Sequence, residues 1–138
     1  GSEKVVKLPA RFIPEPLKNG EPPLAGLKVV EVAQGLCGPF TGLLLADAGA
    51  EVVKVEPPAG DYARQFAPRV NGSDGAAFVL LNRNKQGLTL DLQTDKGREA
   101  LLELLKHADV FVEDLGPGKA EKLGLGHETL KKLNPHSP

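Results

Sequence analysis

The sequence predicts an α/β fold built on an open, mostly parallel sheet with helices on both faces. Three observations carry that expectation. From Leu27 onward, short β-branched runs alternate with segments of helical spacing. Glycine-bearing turns follow the strands. The apolar content is mostly Leu, Val and Ala, the filling of a sheet covered by helices.

The front of the chain is expected to stand apart. Gly1-Ser2 reads as a remnant of tag removal. Residues 3–23 carry Pro9, Pro14, Pro16, Pro22 and Pro23. Proline removes backbone donors and fixes its own torsion, so 1–23 is expected to be an extended arm or linker, with the ordered domain over 24–138. Order is expected to begin at Leu27. The run Leu27 to Val32 is β-branched and short, hence a strand. Gly38-Pro39 opens a helix, since proline suits the first helical position. Phe40 to Ala48 forms its body, with Phe40, Leu43, Leu44, Leu45 and Ala48 as the apolar face, and Gly49 ends it.

Val52 to Val55 is the next strand, which completes a βαβ unit with parallel strands. Residues 57–75 have no period and read as a long loop, a kind often functional inside compact domains. Phe78 to Leu81 reads as a helical turn or buried segment. Leu88 to Leu92 alternates as a strand does. Thr94 caps the next helix, where Leu101, Leu104, Leu105 and Ala108 repeat at helical spacing. Val110 to Glu113 is a strand and closes a second βαβ unit. Gly116-Pro117-Gly118 leads to a short helix over Lys119 to Leu123, and His127 to Leu133 forms another before Asn134-Pro135.

Composition narrows the function. A net charge of −1 gives no electrostatic case for nucleic acid or an anionic membrane. One Tyr and five Phe, with no Trp, are too few for a base-stacking surface. No apolar run is long enough to span a bilayer. The single cysteine, Cys37, forms no internal disulfide and fits a cytoplasmic setting. His107, His127 and His136 share no ligand spacing, so no metal site is expected.

In parallel sheets, ligands sit at the carboxyl ends of strands near the point where strand order reverses. Three glycine-bearing loops qualify: Ala33 to Gly38, Glu56 to Arg64, and Asp114 to Gly118. The first lacks both the dinucleotide and the P-loop spacing. Its free N–H groups at a helix start still favour an anion, and its glycines permit close approach to the backbone. A plain tight strand-to-helix turn satisfies the same spacing. Cys37 is either a thiolate stabilised by the helix start or a small buried residue. For Asp114 and Glu113, a capping role and a ligand contact stand side by side.

Several segments in fixed order resemble the family III CoA-transferases (the CaiB/BaiF family). They are Pro23 to Val32, Gly38-Pro39-Phe40, Leu45 to Glu56, Leu81-Asn82-Arg83-Asn84-Lys85, Leu88 to Leu92, Ala108 to Glu113, Gly116-Pro117-Gly118 and Leu123-Gly124-Leu125. The resemblance covers about 24 to 135. It implies a Rossmann-like domain from an interlocked homodimer that moves CoA between carboxylic acids through an aspartate acyl intermediate, a form of covalent catalysis. Coenzyme A or acyl-CoA is the implied substrate, a carboxylic acid the second, and no metal takes part.

By the same resemblance, Gln34, Gly35, Leu36 and Cys37 form the wall beside the pantetheine end. Leu90, Asp114 and Leu115 contact the nucleotide side, Lys119 and Lys122 reach toward phosphates, and Arg64 lies in a loop near the ligand. Pro57 and Pro58 stand where the family commonly has a basic residue, Asp114 where asparagine is common, and Gln86 where arginine is common. Each lost contact to a charged group is worth about 1.5–3 kcal/mol. The family's aspartate falls beyond Asn134-Pro135, so no catalytic residue is assigned here. The expectation is a truncated CoA-binding part, inactive alone, whose partner is the remainder of its parent chain. The alternatives are a degenerate structural or interface domain, or part of an α-methylacyl-CoA racemase-like enzyme.

Overall fold

In the computed structural model, residues 4–7, 21–70 and 72–133 are described. Five strands form one sheet in the order β1-β5-β2-β3-β4. They are β1 (Lys4–Lys7), β2 (Lys28–Val32), β3 (Glu51–Glu56), β4 (Lys85–Thr89) and β5 (Val110–Glu113). Strands β5, β2, β3 and β4 are mutually parallel, and β1 pairs antiparallel with β5 at the edge. The helices are α1 (Cys37–Asp47), α2 (Ala76–Leu81), α3 (Asp95–Leu105), α4 (Lys119–Lys122) and α5 (His127–Leu133), with a 3-10 turn over Tyr62–Gln65. The α/β fold with a mostly parallel sheet is as the sequence predicts.

Strands β2 and β5 are nearly continuous apolar runs because both of their faces are covered. Alternation sorts their side chains. Val30, Val32, Val55 and Phe111 pack with Leu101 and Leu105 of α3, Ala120 of α4 and Leu130 of α5. Val29, Val52, Val110 and Val112 pack on the other face with Ala46 of α1. The adjacent strands β2 and β5 therefore send their outgoing chains to opposite faces, and this makes the reversal point of the sheet.

The structure corrects three expectations. Ordered structure starts before Leu27: β1 is a strand, and Leu24 N–H donates to the Ala48 carbonyl at 2.8 Å. Pro9, Pro14 and Pro16 lie outside the described residues, as do Asn134, Pro135 and His136. The strand expected over Leu88 to Leu92 is instead Lys85–Thr89. Its ladder with β3 runs from Val52–Lys85 to Glu56–Thr89 and stops where β3 stops. Leu90 and Leu92 alternate because they pack against the α3 core, not because a ladder continues.

The third correction concerns α1. Its inward face is Gly38, Pro39, Gly42, Leu43 and Ala46, while Phe40 and Leu44 are 51% and 55% exposed. Small residues face the sheet because buried charges, described below, occupy the space beneath this helix.

The predicted cap of α3 is present. Thr94 Oγ1 accepts from Gly97 N–H at 3.1 Å, and Asp95 sits in the positive first turn. Thr94→Ala is expected to cost about 1 kcal/mol, a fall of roughly 4 °C in a thermal melt. An unchanged melting temperature would show the cap to be unimportant. Among the described residues no helix is long and apolar enough to cross a membrane.

Candidate ligand cleft at the carboxyl edge of the sheet

The parallel arrangement brings the tips at Gln34, Glu56 and Asp114 to one edge. A cleft opens there. Val32, Ala33 and Gln34 contribute from the end of β2, Val55 and Pro57 from β3, and Leu90 to Gln93 from the chain after β4. Asp114 and Leu115 after β5, with Lys119 on α4, close the far side. Its lining combines the aliphatic Val32, Val55, Leu90, Leu92 and Leu115 with polar residues. The cavity volume is about 120 Å³, below the roughly 300–1,000 Å³ of sites that enclose a whole drug-sized ligand. That volume is too small to enclose a nucleotide whole.

Asp114 ties the two sides together. Its carboxylate oxygens accept from Gln34 N–H at 3.3 and 3.2 Å, across the β2–β5 boundary. Burial pushes the Asp114 carboxyl above the usual aspartate range, while the Gln34 N–H draws it back.

Behind the Gln34 turn lies a charged layer within the α1 face of the sheet. Lys54 Nζ reaches Glu31 Oε2 at 3.0 Å, Asp61 Oδ2 at 2.9 Å and the Ala33 carbonyl at 2.9 Å. Lys85 Nζ reaches Glu31 Oε1 at 2.7 Å, the Pro39 carbonyl at 2.9 Å and Asn82 Oδ1 at 2.9 Å. The contacts at Glu31 Oε1 and Asp61 Oδ2 are ion pairs rather than directed hydrogen bonds. All four charged side chains are 2% exposed or less. Burial pushes the Lys85 ammonium below the usual lysine range, with Glu31 pulling the other way. Asp61 Oδ1 accepts from Gly35 N–H at 2.9 Å and from Ala63 N–H at 2.8 Å.

Tyr62 lies over this turn. Its N–H donates to Gln34 Oε1 at 3.2 Å. Gly35 has φ of +81°, and a Cβ there would fall 2.1 Å from the Tyr62 hydroxyl. Glycine is thus required twice, for its torsion and for the approach.

Gln34, Leu90, Asp114, Leu115 and Lys119 all line the cleft. Gly35 backs it. Leu36 and Cys37 are exposed at the start of α1, so the buried alternative for Cys37 does not hold. Lys122 is exposed on α4 and does not line the cleft. The Arg64 guanidinium is engaged internally: Glu56 takes it at 2.7 and 2.9 Å, Asp74 at 3.0 Å, and the Phe78 ring centroid is 3.8 Å away. Pro57 lies in the Glu56 to Arg64 loop singled out from the sequence, whereas sequence reasoning missed the Asp91–Gln93 segment as lining. The strand-end rule finds that segment only once β4 is known to stop at Thr89.

The model of CoA-transferase family III matches residues 24–136. The chain is 47% identical over 116 residues to a succinyl-CoA:mesaconate CoA-transferase of Haloarcula hispanica, covering 81% of this chain and 29% of that protein. It is 39% identical over 124 residues to the Homo sapiens succinyl-CoA:glutarate CoA-transferase, covering 89% of this chain and 28% of that one. A crystal structure of a CaiB/BaiF family protein from Brucella suis superposes with a TM-score of 0.77 at 44% identity, over 83% of this chain and 31% of that one. The chain spans less than a third of the length of these relatives.

Proposed function

Because the chain belongs to CoA-transferase family III, we propose that its carboxyl-edge cleft holds the pantetheine arm of a CoA thioester. The parent protein moves CoA between carboxylic acids through an aspartate acyl intermediate, the aspartate lying outside this chain. The reading is supported by one observation: a largely apolar cleft of about 120 Å³, too small to enclose a nucleotide whole, whose lining includes Gln34 and Lys119. A pantetheine arm is slim and largely neutral. Its phosphate end needs a cation, and Lys119 is the basic residue lining the cleft.

Exposed Leu36, Phe40 and Leu44 follow one another at four-residue steps along α1, and Val79 and Leu80 are exposed on α2. This supports cover by the rest of the parent chain or by the second subunit of an interlocked homodimer. A single cysteine suits the cytoplasm. Calorimetry with CoA tests the reading: saturable binding by this chain is expected, with no CoA exchange between succinyl-CoA and a carboxylate. Absence of binding overturns it in favour of a degenerate structural domain, a role that Pro57 and Asp114 in the cleft favour, since neither offers a cation to a polyanion.

Asp114 gives a sharper test. Its ionised carboxylate opposes an anionic ligand, so Asp114→Asn is expected to tighten CoA binding at neutral pH by about tenfold at most. The raised folded-state pKa means the folded chain holds this proton more firmly than the unfolded chain. Stability from this group therefore falls as pH rises from the unfolded to the folded value, and the asparagine variant lacks that dependence. Titrations of both proteins at neutral and mildly acidic pH check it. Equal affinities throughout would remove Asp114 from the ligand's field.

A further inference from the structure

We propose that Glu31, Lys54, Asp61 and Lys85 form a positioning device that fixes both ends of the Ala33–Pro39 turn, so that its backbone faces the cleft in one geometry. The inference rests on the reading of that cleft as a thioester site and deepens it, by naming what holds the turn in place.

The geometry is a bracket. Glu31 sits at the centre, one carboxylate oxygen on each ammonium. Lys54 extends to the Ala33 carbonyl, where the turn leaves β2. Lys85 extends to the Pro39 carbonyl, where the turn has become the first residues of α1. Asp61, paired with Lys54, takes the Gly35 N–H between those two points. Three backbone groups of one short turn are thus held by charged atoms that strands β3 and β4 and the loop after β3 supply, with Glu31 of β2 joining the two lysines.

Stability is a poor account of such a cluster. Two buried carboxylates and two buried ammoniums balance in charge, but desolvating them offsets much of their attraction. Apolar residues of similar volume commonly serve a core as well or better. What the charges provide and apolar residues do not is direction: hydrogen bonds to ionised groups are short and angularly specific. The first part of α1 has made room for them, since a Cβ on Gly42 would lie 1.8 Å from Glu31 Oε1.

Hydrogen exchange on the chain without ligand tests the device. In the wild type, the Gly35 amide should exchange about 100-fold or more slowly than the exposed turn amide of Gly118. Equal rates overturn the proposal. In Lys54→Met and in the nearly isosteric Asp61→Asn, Gly35 exchange should rise about tenfold more than that of buried Val112 in β5. An equal rise at both amides means a general loss of stability and overturns the positioning role. Should neither variant fold, the wild-type comparison decides. CoA affinity, by calorimetry, should weaken about tenfold in whichever variant folds. A wild-type chain that binds no CoA removes the thioester reading, while the Gly35-to-Val112 ratio still decides whether the bracket positions the turn.

Discussion

Replacing Gly42 with alanine is expected to destabilise the chain by about 3 kcal/mol, against the ordinary sign of this substitution. Glycine inside a helix normally costs roughly 0.5–1 kcal/mol relative to alanine. Gly42 lies within α1, so propensity alone predicts a gain. The new methyl group would meet Glu31 Oε1 at 1.8 Å, Glu31 Cδ at 3.0 Å and Lys85 Nζ at 3.1 Å. A carboxylate at the end of a flexible side chain can often swing aside. Glu31 cannot, because it is 0% exposed and each oxygen is held by a lysine. Either α1 lifts from the sheet, at roughly 1–3 kcal/mol for overpacking, or Glu31 releases an ammonium, at roughly 3–5 kcal/mol for a broken buried pair. Both exceed the helical gain. Urea denaturation measures the difference, and a thermal melt should fall by about 10 °C. Gly87→Ala is the control, since no atom outside its neighbours lies within 4 Å of a Cβ there, and inside β4 it should be neutral or stabilising by up to about 1 kcal/mol. A Gly42→Ala chain as stable as the wild type would mean the α1 face is loosely packed.

The same residues explain what the sequence could and could not disclose. Strands β2, β3 and β5 are legible because burial on both faces demands largely apolar, β-branched runs. Helix α3 is legible because one face is apolar and a threonine precedes it. Helix α1 misleads. Its leucines and phenylalanine suggest the buried face, yet glycine, proline and alanine point inward, because the sheet beneath carries Glu31 and Lys54 instead of valines. Those two charges are visible as interruptions in apolar strands. Their partners Asp61 and Lys85 are not, since sheet register and loop closure select them from distant segments. Strand β1 escapes notice for a related reason: Lys4–Lys7 is two valines between two lysines, and only pairing with β5 makes it a strand. At the cleft, the tips after β2 and β5 followed from the strand-end rule, whereas the segment after β4 was hidden by an alternation that outlasts its ladder.

Arg64→Ala should cost about 2–3 kcal/mol at neutral pH, and the cost should shrink in acid. The guanidinium presents a two-point fork to Glu56, at 2.9 Å through Nε and 2.7 Å through a terminal nitrogen, and reaches Asp74 at 3.0 Å. It also lies 3.8 Å from the centroid of the Phe78 ring. Bonds between ionised groups are worth about 1.5–3 kcal/mol each where buried. Arg64 keeps a third of its side chain in solvent, so the sum is discounted accordingly. The pH dependence follows from Glu56. Its hydrogen bonds to Arg64 are the largest cause holding its carboxyl below the usual glutamate range, against burial, which raises it. Folded Glu56 thus binds its proton more weakly than unfolded Glu56. Its contribution is complete above the unfolded value and is lost as pH falls through the folded one.

Without Arg64, Glu56 loses the largest cause of its lowered pKa and keeps only the Asp61 N–H bond and the Lys54 charge against burial. The wild-type and variant stabilities should therefore converge on acidification. Arg64→Lys restores the charge without the fork and should recover only part of the difference. Urea denaturation of the three proteins at neutral and acidic pH measures this, and a gap that stays constant with pH would show that Glu56 is not the group Arg64 serves. The consequence reaches the cleft: Glu56 Oε2 also accepts from Asp61 N–H at 2.8 Å, and Asp61 holds Gly35. Arg64, which the family resemblance alone puts in a loop near the ligand, is thus linked to the turn through two carboxylates, Glu56 and Asp61.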